Sequence, residues 1–150
     1  MRTLFALLAA AALAGCNSPP TREPTDVEGP AAALVEIRLG EPFTLAPGAV
    51  ATLPSADLSV RFIEVSSDSR CPVDVTCVWE GDAGVAVETA RDGREDVWAL
   101  HTPTEALGPA AAELDGYVLR LLGLEPAPHS ERRTAPGDYR ATLRVDRGGS

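Results

Sequence analysis

The stretch DYRATLRVD, residues 138–146, sets Tyr139, Ala141, Leu143 and Val145 in alternation with Arg140, Thr142, Arg144 and Asp146. Successive side chains of an extended chain point to opposite faces, so this period of two is the signature of a half-buried strand. The same alternation occurs at Val35, Ile37 and Leu39, at Leu58, Val60 and Phe62, and at Ala83, Val85, Val87 and Thr89. Turn chemistry bounds these runs, as in GEP at 40–42, APG at 46–48 and RDG at 91–93. Asp92 and Gly93 suit positive φ and predict a hairpin joining a strand near 83–90 to one near 95–101.

In VRFIEV, Val60, Phe62, Ile63 and Val65 put apolar groups on both faces. This strand must be covered on two sides or carry a bulge. Helix-forming residues gather only in TEALGPAAAEL, 104–114, where Gly108 and Pro109 leave room for a turn or two at most. Seven to nine short strands with little helix predict an all-β fold, a small antiparallel β-sandwich or a barrel. Tyr139, just inside a strand after a turn, is where an immunoglobulin-like sandwich carries a tyrosine corner, although any strand can begin with an aromatic.

At the other end, MRTLFALLAAAALAGC has the layout of a secretory signal peptide: Arg2, an apolar run from Leu4 to Ala14, then small residues. The run is too short to span a hydrocarbon core about 30 Å thick. Leu13, Ala14, Gly15 and Cys16 resemble the lipobox of bacterial lipoproteins. That resemblance implies cleavage before Cys16, diacylglycerol on its thiol and an acylated amino group, hence attachment to membrane through acyl chains. Two or more such chains anchor stably where one is marginal. Asn17 after the cysteine resembles an outer-membrane address.

Residues 17–33, NSPPTREPTDVEGPAAA, hold four prolines and no apolar period. Such a segment buries too little surface to offset its ordering entropy and is expected to act as a tether reaching roughly 50 Å. The predicted organisation is a signal peptide at 1–15, anchor and tether at 16–33, a β-domain at 34–146 and a tail at 147–150. Removing residues 1–15 takes away only Arg2 among the charges, leaving 12 arginines against 22 acids, a formal charge of −10. That charge disfavours nucleic acid and anionic headgroups as partners. Lysine is absent altogether, which excludes Schiff-base chemistry on this chain's side chains.

Residues 67–84, SDSRCPVDVTCVWEGDAG, concentrate most of the remaining chemistry. With Cys16 lipidated, Cys71 and Cys77 are an even pair in an oxidising compartment, and their spacing is not that of CxxC redox or zinc motifs. A disulfide is expected, worth about 2.4 kcal/mol on the chain-entropy model. It acts as a structural staple on a crossover between sheets, or as a rigid ring presented to a partner at reduced entropic cost. Arg70, Asp74, Glu80 and Asp82 are the candidate binding residues, with the acids expected to face water and Trp79 expected to pack in the core.

The run around Ser69, Arg70, Cys71, Pro72, Cys77, Val78, Trp79 and Gly81 resembles a group of uncharacterised bacterial envelope lipoproteins with an SRCPxxxxCVWxG core. The likeness spans about residues 43–145 and implies compartment and fold, without an activity. Glu80 and Asp82 stand where that group carries small or polar residues, which argues against an obligatory acidic ligand.

Glu64, Asp68, Asp74, Glu80 and Asp82 lack the spacing and central glycine of a calcium loop, and Arg70 lies among them. No metal site or cofactor is predicted. His101 and His129 belong to no metal or nucleophile motif. The sequence thus predicts a lipid-anchored envelope binding or structural module, periplasmic or surface-facing, with an unknown envelope protein or ligand as partner and no catalysis. The alternative is an inhibitor or divalent-metal-handling protein using the loop Arg70–Asp82.

Overall fold

The computed structural model describes residues 34–104 and 108–149. The predicted signal peptide, Cys16 and the tether lie outside the described residues. Among the described residues nine strands run in the order β1 (Leu34–Glu36), β2 (Phe43–Leu45), β3 (Val50–Leu53), β4 (Leu58–Asp68), β5 (Ala83–Arg91), β6 (Arg94–His101), β7 (Ala111–Leu114), β8 (Tyr117–Glu125) and β9 (Arg140–Arg147). They form a five-stranded sheet, β1-β3-β4-β5-β6, and a four-stranded sheet, β2-β9-β8-β7. The fold is a β-sandwich and not a closed barrel.

Alternation along β2, β3, β4, β5, β7, β8 and β9 fills the space between the sheets. Ala141, Leu143 and Val145 of β9 are fully buried, as are Val60 and Phe62 of β4, Val85 and Val87 of β5, and Leu119 and Leu121 of β8. Burying each of the larger side chains contributes about 1.5–3 kcal/mol. The outward partners on β9 find polar company: Arg144 and Arg120 both pair with Asp146, at 2.9 and 3.2 Å.

The apolar excess in VRFIEV resolves as a bulge. Phe62 pairs with Val87 and Glu64 with Ala86, so Ile63 is the extra residue, and a second shift falls between Val65 and Ser67. The β5–β6 hairpin closes as the sequence predicts, on Asp92 (φ 50°) and Gly93 (φ 76°) between paired Arg91 and Arg94.

Four details differ from the sequence-based expectation. The sandwich is not wholly antiparallel, because β1 runs parallel to β3. The chain leaves the first sheet after Ile37, whose N–H still donates to the Thr52 carbonyl (2.9 Å), and joins the second at Gly40, whose N–H donates to the Val145 carbonyl (2.8 Å). The second half of TEALGPAAAEL is strand β7, since Gly108-Pro109 breaks any helix and Ala112 and Leu114 then alternate inward beside β8. Tyr139 makes no tyrosine corner, for its hydroxyl donates to the Asp68 carboxylate (3.1 Å) instead of to nearby backbone. Finally, β9 extends to Arg147, and the Gly148 N–H donates to the Gly116 carbonyl (2.9 Å).

Candidate functional site

The loop joining β4 to β5 projects from the end of the five-stranded sheet. Its base continues their ladder: the Ser69 N–H donates to the Asp82 carbonyl (2.8 Å) and the Cys71 N–H to the Glu80 carbonyl (2.7 Å). Gly81 permits this approach. Its φ is +62°, and a Cβ there would lie 1.9 Å from the Ser69 carbonyl oxygen. Beyond the ladder, Cys71 and Cys77 are joined by the expected disulfide, with Cα atoms 5.9 Å apart. The ring closes a single hairpin loop of one sheet, in place of the crossover between sheets expected for a staple, because β4 and β5 pair with each other.

Two side-chain clusters tie the loop to the end of β8 and to the connection that follows it. Arg70 lies largely out of solvent and grips Asp68 with two donors, Nε to Oδ1 (2.8 Å) and Nη2 to Oδ2 (2.7 Å). Its remaining donors reach the carbonyls of Leu124 and Pro126 at the end of β8. Burial pushes the Asp68 carboxyl up, but the hydrogen bonds and charge of Arg70, with the Tyr139 hydroxyl, outweigh it and hold it below the ordinary carboxylate value. The Asp68 hydrogen bond in turn raises Arg70 against its own burial. Burial, then the Asp68 charge, raise the Tyr139 phenol.

The second cluster is a clasp. The Asp74 carboxylate accepts from both the Ser130 N–H (3.0 Å) and the Ser130 hydroxyl, which lower its pKa, while the Val73 N–H donates to the Pro128 carbonyl (3.0 Å).

Against this geometry the four candidate binding residues separate. Arg70 is consumed by internal partners. Asp74 is exposed but clasped. Asp82, expected to face water, is only 5% exposed; its carboxylate bonds the His101 imidazole Nδ1 and lies near the Ser69 hydroxyl, so it anchors the loop base. Of these four, Glu80 alone is an exposed charge without a side-chain partner among the described residues.

Trp79 also departs from expectation. It is 82% exposed and Val78 is 89% exposed, with Val73 and Val75 exposed beside them. The ladder at Ser69–Asp82 and Cys71–Glu80 carries the ring past the end of the core, which strand residues already fill, so Trp79 has no interior to reach. Asp68, His101, Ser130 and Tyr139, which brace the loop, carry no spacing signal in the sequence, because they meet only through pairing between distant segments.

The Ser69 hydroxyl donates to the Asp82 carbonyl (3.0 Å) and the Ser130 hydroxyl to the Asp74 carboxylate, whose Oδ1 lies 3.6 Å from His129 Nδ1. Among the described residues no three His, Cys, Asp or Glu side chains converge as a metal site. No helix among them is long and apolar enough to cross a membrane. No family model, curated protein or solved structure matches the chain.

Proposed function

We propose that this chain is a lipid-anchored cell-envelope lipoprotein that acts as a non-catalytic binding module, and that its contact surface is the apolar tip of the disulfide ring. The observation that carries this is the nearly complete exposure of Val78 and Trp79 on a loop that grows from one sheet and is braced by the segment following β8. Aromatic side chains dominate the energetics of protein contacts, and a pre-ordered loop gives up less entropy on binding. The contact therefore shifts from Arg70, Asp74 and Asp82, which hold the loop, to Val78, Trp79 and Glu80, which are free to meet a partner.

The anchor rests on the Cys16 lipobox, and the non-catalytic reading on the lack of a nucleophile or metal motif in the sequence. A protruding, disulfide-closed loop also suits an inhibitor, whose hydrolase would lose activity saturably with the oxidised ring and not with the reduced one. Metal handling draws no support from the described residues.

Two variants test the proposal. C16S should move the chain from the membrane to the soluble fraction, and the double variant V78S/W79S should abolish co-purification of the wild-type partner set from native envelopes. Retention of that set by V78S/W79S refutes the tip as contact surface.

A further inference from the structure

The hairpin end of β5 and β6, away from the ring, carries an open strand edge and a cavity. β6 is the edge of its sheet, hydrogen-bonded along one side to β5. The His101 N–H points away from β5, to the Pro109 carbonyl (3.0 Å). By the two-residue period of a strand, the N–H groups of Ala99, Val97 and Glu95 point to that same open side. Among the described residues no strand pairs with them, and Val97 is 66% exposed. A row of unpaired backbone groups is a template for an added strand.

Beside this edge, where the sheets part between β6 and β7, is a cavity of about 430 Å³. Trp98 and Leu114 line it, with the Trp98 indole N–H held by the Thr89 hydroxyl (2.9 Å). Asp96, Glu113 and Asp115 also line it, and their carboxylates have no cationic partner among the described residues. Asp92 and Arg91 pair with each other in the lining (3.4 Å), and Arg91 is further committed to the Asp115 carbonyl and the face of Tyr117. Arg94 is then the one cation of the lining that has no ion-pair partner among the described residues, against three such carboxylates.

The even-numbered residues of β6 form the row on this side: Leu100 is buried, Trp98 packs on the core, and Asp96 and Arg94 continue the row past the core's edge. A strand added to β6 would drop alternate side chains into the cavity.

The geometry points to a basic extended peptide segment as the occupant: it pairs its backbone with Glu95, Val97 and Ala99 and places a lysine or arginine over Trp98 among Asp96, Glu113 and Asp115. The stem of such a side chain suits the apolar lining, its charge suits the carboxylates, and a cation over an indole face gains further attraction. A second copy of this acidic chain is the poorer occupant, since it would bring its own carboxylates to the same edge.

The test is amide and indole NMR of the full chain in detergent, titrated with a capped nine-residue peptide of alternating valine and lysine and with its valine–glutamate counterpart. Expected are saturable shifts of the Trp98 indole N–H, slowed exchange of the Val97 and Ala99 amides, and no saturation by the glutamate peptide. In D96N/E113Q/D115N, folded by its amide spectrum, affinity should fall at least tenfold. N-methylation of alternate peptide bonds should abolish binding at unchanged charge. Absence of saturation, equal binding of the glutamate peptide, unchanged affinity in the triple variant, shifts confined to the ring at 71–80, or β6-to-β6 dimers without peptide each overturn the proposal.

Discussion

Replacing Arg70 with alanine removes one guanidinium but strands three acceptors. The Asp68 carboxylate keeps only the Tyr139 hydroxyl and the Arg70 backbone N–H (3.3 Å), and the carbonyls of Leu124 and Pro126 lose their donors. Breaking a buried ion pair by deleting one partner costs about 3–5 kcal/mol. Both side chains here retain a little exposure, 14% and 12%, so water recovers part of the loss and the lower end applies, about 3 kcal/mol. For a domain of this size each kcal/mol lowers Tm by roughly 4 °C, so R70A should melt about 12 °C below wild type.

D68N keeps an acceptor for Arg70 and should cost less, about 2 kcal/mol. Because the two side chains act as one unit, the double variant D68N/R70A should be more stable than the sum of the single losses by about 1–2 kcal/mol. Urea unfolding followed by circular dichroism, with the slope against denaturant checked for constancy, gives all three values. A loss below about 1 kcal/mol in R70A together with additive single variants would refute the structural assignment and return Arg70 to the pool of free contact residues.

Other consequences are open to simpler measurements. Because Asp68 is held below its ordinary value in the folded chain, its contribution is complete above about pH 4 and is lost as pH falls through the lowered value. Wild type should therefore lose stability more steeply than D68N as pH falls below about 4, and parallel urea midpoints would contradict this. G81A combines a left-handed backbone with a Cβ set against the Ser69 carbonyl and should cost at least about 2 kcal/mol, whereas G93A, with positive φ but open space, should cost about 1. Equal losses in the two would remove the close-approach explanation. C71S/C77S should lower stability by about 2 kcal/mol and leave the far-ultraviolet spectrum of the sandwich intact, since the ring closes a loop outside the core. Loss of the β spectrum would show that the ring organises the sheets.

Much of the sandwich is legible in the sequence because alternation is a local property. DYRATLRVD, the Val85–Val87 run and the Asp92–Gly93 hairpin each specify a face or a turn without knowledge of what packs against it. Ala111–Leu114 misleads, since alanine-rich composition favours helix locally while pairing with β8 decides the outcome. The disulfide follows from cysteine parity and spacing.

The roles of the loop's charged groups do not, because they depend on contacts between segments more than 50 residues apart, such as Arg70 with Pro126, Asp74 with Ser130 and Asp68 with Tyr139. The sequence predicts Trp79 inward, because immunoglobulin sandwiches pack a core tryptophan beside their disulfide. The ladder that carries the ring past the core reverses that assignment.

The account turns on whether the exposed tip is where this protein meets its partner. A photo-crosslinking amino acid placed at Val78 or Trp79 in the anchored chain, and irradiated in native envelopes, measures that contact directly. Discrete adducts are predicted from both positions, lost in C71S/C77S, with none from Leu122 on the partly exposed outer side of the second sheet. Adducts from Leu122 with none from the tip would contradict the account.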